Sequence, residues 1–253
     1  MGRHRSTVTR RPTLKRVSYP PGLQVAQACV ELIGLPDRYA APLGYDGLAL
    51  AIIDAIWSMG VRYQGVANVL DEYRGWTSAT FGCSAALRTS NELLDDIAHV
   101  GGPAGFATDV VHNLQRTSTR GGVLKSAAVA GACAALVESE VLTADNLRKR
   151  AFDDVLRKRW LAVHGQGSGI SWRYALMNVK VEDLKPDRMI CRFVAQSLHR
   201  RSVSPENAHD EVLAAYELLL PDNPRLTLRA LDHEIWEFAS GRTRRFAHGG
   251  SPA

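Results

Sequence analysis

Ten consecutive residues, Leu48-Ala-Leu-Ala-Ile-Ile-Asp-Ala-Ile-Trp57, are apolar at every position but one. A helix built from them has no polar face to turn towards water, so the rest of the chain must surround it. Gly60 then stops it. No stretch shows convincing period-2 alternation, and the remaining apolar residues recur at helical spacing. Helices are expected over Gln24–Ile33, Gln64–Tyr73, Asn91–Val100 and Pro103–Leu114, the last two separated by Gly101-Gly102. The segment 118–122 is expected to be a loop and the Ala-rich Val123–Glu138 a helix. Thr143 is placed to cap one long helix through Val163. Ser204 before Pro205 opens a helix to about Leu219, and Leu226–Phe238 is the last. The fold class expected is therefore all-α, with roughly ten helices and little or no sheet. No internal repeat of fixed period is present.

Bulk properties narrow the class of partner. The chain has 253 residues, 45% of them apolar, enough for a sizeable core. No apolar run approaches the roughly 18 residues that span a bilayer, so no membrane partner is expected. The basic N-terminus lacks an apolar stretch of secretory type. Cys29, Cys83, Cys133 and Cys191 form no metal or cluster spacing and read as reduced thiols of a cytoplasmic protein, nucleoid-associated if bacterial. Charge is uneven. Residues 1–22 hold six Lys/Arg and no acid, and residues 241–253 hold three more. Between them, residues 145–201 hold 13 basic and 6 acidic residues. A positive field confined to one segment and two tails suits a polyanion bound on one face. Solvated tails and an ordinary charged helix would give the same counts.

One constellation carries chemistry. His164-Gly-Gln-Gly-Ser-Gly169 sets glycines at 165, 167 and 169 between a basic helix and a second helix starting at Ile170. Glycine permits positive φ and close approach of another backbone. The unpaired N–H groups of the second helix would face the turn and suit a phosphate. No strand precedes it, which argues against a dinucleotide-binding loop. Asp187 follows twenty positions after Gly167, at the start of a third helix. An aspartate there caps a helix. Facing a sugar whose base is departing, it would also stabilise positive charge at C1′ and activate water.

Val163-His-Gly-Gln-Gly-Ser-Gly-Ile-Ser171 and Lys185-Pro-Asp-Arg-Met-Ile190 together resemble the helix–hairpin–helix DNA glycosylase superfamily, the group containing endonuclease III. Its hairpin reads Leu-Pro-Gly-x-Gly-x-Lys-Thr-Ala, and its catalytic aspartate lies in Val-Asp-Thr-His-Val. Ala55-Ile-Trp-Ser-Met-Gly-Val-Arg-Tyr63 more weakly resembles the family segment whose loop enters DNA. The last helix, with Ala230-Leu-Asp-His-Glu-Ile-Trp236, is also of a kind seen in relatives.

The resemblance implies two helical lobes with a cleft between them. A basic arm would cover 1–21, the helical domain 22–240 and a basic tail 241–253. Within the domain, the middle lobe would span about 45–165 and the hairpin 155–178. The N-terminal helix with 187–240 would form the second lobe. Asp187 is the implied catalytic carboxylate. Gly165, Gln166, Gly167, Ser168, Gly169 and Ser171 would hold DNA phosphates, while Met59, Gly60, Arg62 and Tyr63 would enter the base stack. Trp172 and Tyr174 would stack on a base or pack the hairpin helix. Trp57 and Trp236 read as core. Asp54 would bond a buried group or line a base pocket.

Gly169 stands where bifunctional members carry their Schiff-base lysine, and Lys125 is a poor substitute at the start of an Ala-rich helix. The reading is therefore a monofunctional DNA glycosylase without lysine-dependent lyase chemistry, acting as a monomer on double-stranded DNA. No cofactor or metal is expected, apart from room for a monovalent cation at the hairpin. His164 and Met189 depart from the family pattern, and the iron–sulfur cysteines are absent. These departures keep a non-catalytic DNA-binding relative as the alternative.

Overall fold

The computed structural model describes residues 20–35, 44–61 and 63–241. Among them are twelve α-helices and no strand, with one isolated bridge between Arg116 and Leu124. The order is α1 (Leu23–Ala28), α2 (Leu48–Trp57), α3 (Tyr63–Phe81), α4 (Ser90–His99), α5 (Pro103–Gly105), α6 (Lys125–Val137), α7 (Ala144–Lys149), α8 (Asp154–Ala162), α9 (Ile170–Asn178), α10 (Arg188–Ser197), α11 (Pro205–Leu219) and α12 (Leu228–Ser240). None is long and apolar enough to cross a membrane.

Every residue of α2 is buried, as its composition demands. Its lone acid, Asp54, is satisfied from side chains: Tyr45 Oη donates at 2.8 Å and Ser58 Oγ at 2.7 Å. Around α2 the buried apolar residues form one cluster from Leu48 to Val179. A second cluster joins Val25–Cys29 of the N-terminal segment to residues 184–239. The chain thus packs around two apolar cores, with α1 returning to the C-terminal helices.

Local chemistry explains most helix boundaries. Thr89 caps α4 with Glu92 in a reciprocal box, and Ser204 caps α11 ahead of Pro205. Three expectations need correction. The helix capped by Thr143 does not reach Val163, because Arg150 leaves helical geometry and Asp153 caps a new helix through the Val155 and Leu156 amides. Arg150 also clasps Asp153, which fixes the break. The helix after Gly60 runs on to Phe81, since Gly75 is tolerated and the stop comes at Gly82, where φ is +63°. The segment expected to be helical to Leu114 closes in a π-helical turn, Phe106–Val110, followed by His112 at φ +46°. A mirror case is the N-terminal segment, where α1 loosens into a π-helical turn over Cys29–Ile33.

Candidate functional site

The glycine-rich turn joins α8 to α9. Gly165 has φ +82° and Gly169 has φ +74°, a region costly for other residues. A Cβ added at Gly165 would lie 2.5 Å from Cβ of Thr117, so the 116–124 loop packs directly on this turn. The turn is tied internally by Gln166 N–H to the Val163 carbonyl (2.9 Å) and Gly169 N–H to the Gln166 carbonyl (3.1 Å). Gly169 precedes the first turn of α9, whose leading N–H groups have no intrahelical partner. Beside them lies a small recess of about 70 Å³, bordered by Arg157, Ser168, Gly169 and Arg173.

Not every residue expected to meet DNA here faces outward. Gln166 is buried, and Ser171 Oγ accepts the Trp160 indole N–H at 3.0 Å inside the core. These side chains build the turn. The backbone N–H and carbonyl of Gln166 are likewise used inside the turn, while the Ser171 N–H belongs to the first turn of α9. Gly165, Gly167 and Ser168 are exposed, as are Arg157, Lys158 and Arg159 on α8. Trp172 is buried 5.6 Å from Trp160, which places it in the core.

A cavity of about 210 Å³ opens where the two apolar cores meet. That is below the roughly 300 Å³ at which drug-sized pockets begin, so a single small ring system suits it. Ser58, Val61, Tyr63 and Val66 come from the end of α2 and the start of α3. Tyr174 and Met177 come from α9. Lys185 and Asp187 come from the segment entering α10, and Asp232, His233, Trp236 and Glu237 from α12.

Asp187 stands at the cavity wall and also caps α10. Its Oδ1 accepts the Met189 N–H at 2.7 Å and the Ile190 N–H at 3.2 Å. The capping role expected of this aspartate is thus present, with Oδ1 tied to the helix, and the residue also lines the cavity. Capping fixes the carboxyl orientation and donates two hydrogen bonds to it.

The 58–63 turn is held from below. Lys125 is buried, and its ammonium donates to the carbonyls of Trp57 and Met59, both at 2.8 Å. Burial pulls its pKa down to about 8. Lys125 is thus an anchor for the C-terminal end of α2. Gly60 is exposed with φ +72° and has open space around it, and Met59 is half-buried. Tyr63 lines the cavity and meets Trp236 edge-on at 6.5 Å. Arg62 lies outside the described residues. Trp57 is fully buried, whereas Trp236, expected in the core, reaches the cavity.

Two charged residues that sequence reasoning passed over complete the site. Asp232 is buried, its Oδ1 accepts the Lys185 N–H at 2.9 Å, and burial raises its pKa to about 7. Lys185 is 9% exposed, with Nζ 3.7 Å from the centre of the Tyr174 ring. Burial lowers its pKa against the opposing pull of Asp187, Asp54 and Asp232. Asp54 sits behind Ser58, and burial raises its own pKa despite the bonds from Ser58 and Tyr45. The only signal in sequence was the Lys185-Pro186-Asp187 triplet, a lysine two residues before a candidate catalytic acid.

Residues 24–240 match the family described as "Domain of unknown function (DUF8548)". The chain belongs to that family. No curated protein and no solved structure matches the chain.

Proposed function

We propose that this member of the family is a DNA glycosylase that flips a damaged or modified base and cleaves its N-glycosidic bond. Asp187 assists the departure of the base. The observation that carries the reading is the double position of Asp187, locked as the cap of α10 while lining a cavity sized for one ring system. A carboxylate held rigidly beside the sugar stabilises charge as it develops at C1′ and orients water for attack. Tyr63 and Trp236 supply aromatic walls for an extrahelical base.

The 165–169 turn supports the same reading. Phosphate oxygens would meet the leading N–H groups of α9, with Arg157 and Arg173 bordering the recess beside them. Met59, Gly60 and Tyr63 would occupy the space left in the duplex, on a turn anchored by Lys125. Gly169 leaves no lysine at the hairpin, so base release is assigned to water, with neither metal nor cofactor. A monomer acting on double-stranded DNA in the cytoplasm is the working picture.

The use of one Asp187 oxygen as a cap favours a second reading, a DNA-binding protein on the same scaffold without catalysis. Incubation with genomic and phage DNAs, followed by mass spectrometry of released bases, separates the two. Release by the wild type that is lost in Asp187→Asn is the expected result. Tight binding with no base released from any DNA would establish the second reading.

A further inference from the structure

Phe152 is the most exposed large apolar side chain among the described residues, at 92%. A rigid turn holds it out. Ala151 before it is buried, and Asp153 after it caps α8 through the amides of Val155 and Leu156. Arg150 grips Asp153 Oδ2 at 2.6 Å and also reaches the Ser139 carbonyl. Both flanks of Phe152 are thereby fixed to the body of the protein. A phenyl ring kept in water forgoes the stabilisation that its burial would bring.

The surface below the ring is cationic. Val155 is 61% exposed, and Lys158, Arg159 and Ala162 follow it at helical spacing, all exposed. These four share one face of α8, opposite the buried Leu156 and Trp160. The helix carries three cations, Arg157, Lys158 and Arg159, against one acid, Asp154. Glu138 lies 3.9 Å from Arg159, an exposed pair that water and salt screen. The face runs down to the exposed Gly165 and Gly167 of the glycine-rich turn. Nine helical residues set Phe152 about 13 Å from that turn, roughly four steps of a nucleic-acid strand.

We infer that this face of α8 is a track for an unpaired DNA strand, with Phe152 stacked on a base and Lys158 and Arg159 beside its phosphates. Phenylalanine has no hydrogen-bonding group, so it takes the face of a base whatever the sequence. A continuous duplex hides those faces between neighbouring pairs, whereas a strand lying along the helix presents them. An acidic peptide would match the cations and leave the ring without a role. The track adds an unpaired partner to the duplex of the reading above, and it needs no catalysis by Asp187.

The full chain is titrated with a labelled single strand of about 12 nucleotides and with a blunt duplex of the same sequence. The single strand carries 2-aminopurine, whose fluorescence falls on stacking. Phe152→Ala should weaken single-strand binding by about five- to hundredfold and abolish the fluorescence change, with blunt-duplex affinity near wild type. Phe152→Trp should restore both. Lys158→Gln should lower the single-strand salt slope by about 0.7. Because Phe152 is exposed, equal melting midpoints confirm that its variants fold. An equal loss on both DNAs makes the ring a wedge in the duplex and overturns the inference. So does a wild-type dimer that Phe152→Ala splits with DNA binding unchanged, which assigns the face to a second copy. A wild type that binds duplex and not single strand overturns the inference and leaves the glycosylase reading standing. Phe152-dependent single-strand binding without base release from any DNA upholds the inference and removes the enzyme reading.

Discussion

The backbone N–H of Lys185 donates to Oδ1 of Asp232 at 2.9 Å, across 47 positions of sequence. This bond staples the segment entering α10 to α12. It brings Lys185, Asp187 and Asp232 to one cavity whose opposite wall comes from the end of α2 and the start of α3. The site therefore depends on the docking of α12 as much as on the glycine-rich turn.

Asp187→Asn separates chemistry from structure. The asparagine oxygen still accepts the amides of Met189 and Ile190, so the cap persists. Base release should fall by about a hundredfold to ten-thousandfold, while the thermal midpoint and the DNA affinity stay close to wild type. A matched loss of stability in calorimetry would instead mark Asp187 as a cap alone.

Asp232 gives a pH signature. Its pKa rises from 3.8 to about 7 through burial, so the folded state holds the proton more tightly than the unfolded chain. Its contribution to stability is full below the unfolded value and is lost as pH climbs through about 7. Asp232→Asn keeps an acceptor for the Lys185 N–H and removes the titration. The wild type should lose stability relative to Asp232→Asn between about pH 4 and 7, and the gap should then level off. Parallel melting curves across that range would count against a buried proton on Asp232.

Lys125 titrates in the opposite sense. Its folded pKa, about 8, lies below the ordinary 10.5, so the unfolded chain binds the proton more tightly. Stability should rise between about pH 8 and 10.5 in the wild type and not in Lys125→Ala. At neutral pH Lys125→Ala should cost roughly 2–4 kcal/mol, from a cavity and two bared carbonyls, in chemical denaturation. It should also weaken DNA binding through the released 58–63 turn.

Gly165→Ala tests the turn itself. The new Cβ meets Thr117 at 2.5 Å on a backbone with φ +82°. A cost of roughly 1–3 kcal/mol in folding stability is expected, together with weaker DNA binding. By contrast, Arg157→Gln removes an exposed charge beside the same turn. It should lower affinity alike for all DNA sequences and reduce the salt slope by about one, measured by titration at several salt concentrations.

The all-α class, the central burial of α2 and several caps were legible in the sequence because each rests on short-range chemistry. Nine apolar residues out of ten permit only a buried helix, and Thr143, Ser204 and Asp187 cap within three residues of themselves. Helix lengths were less legible. The break at Arg150 rests on Asp153 capping Val155 and Leu156, and the helix past Tyr73 runs on until Gly82, because a competing cap or stop and not propensity alone sets each end. Ser171 and Gln166 illustrate the same limit, since a hairpin motif places their backbones while burial takes their side chains inward.

By itself, then, the sequence determined the helical class, the glycine-rich turn and the place of Asp187 at the head of a helix. Only the tertiary structure decided that Lys185 and Asp232 share its cavity, that Lys125 anchors the loop after α2 and that Trp236, packed against the second core, also lines the cavity. The physical reason is range. Caps and glycine conformations act between residues a few positions apart. Desolvation, by contrast, shifts the proton affinities of Lys185 and Asp232 only after α10 and α12 have closed over groups remote in the chain.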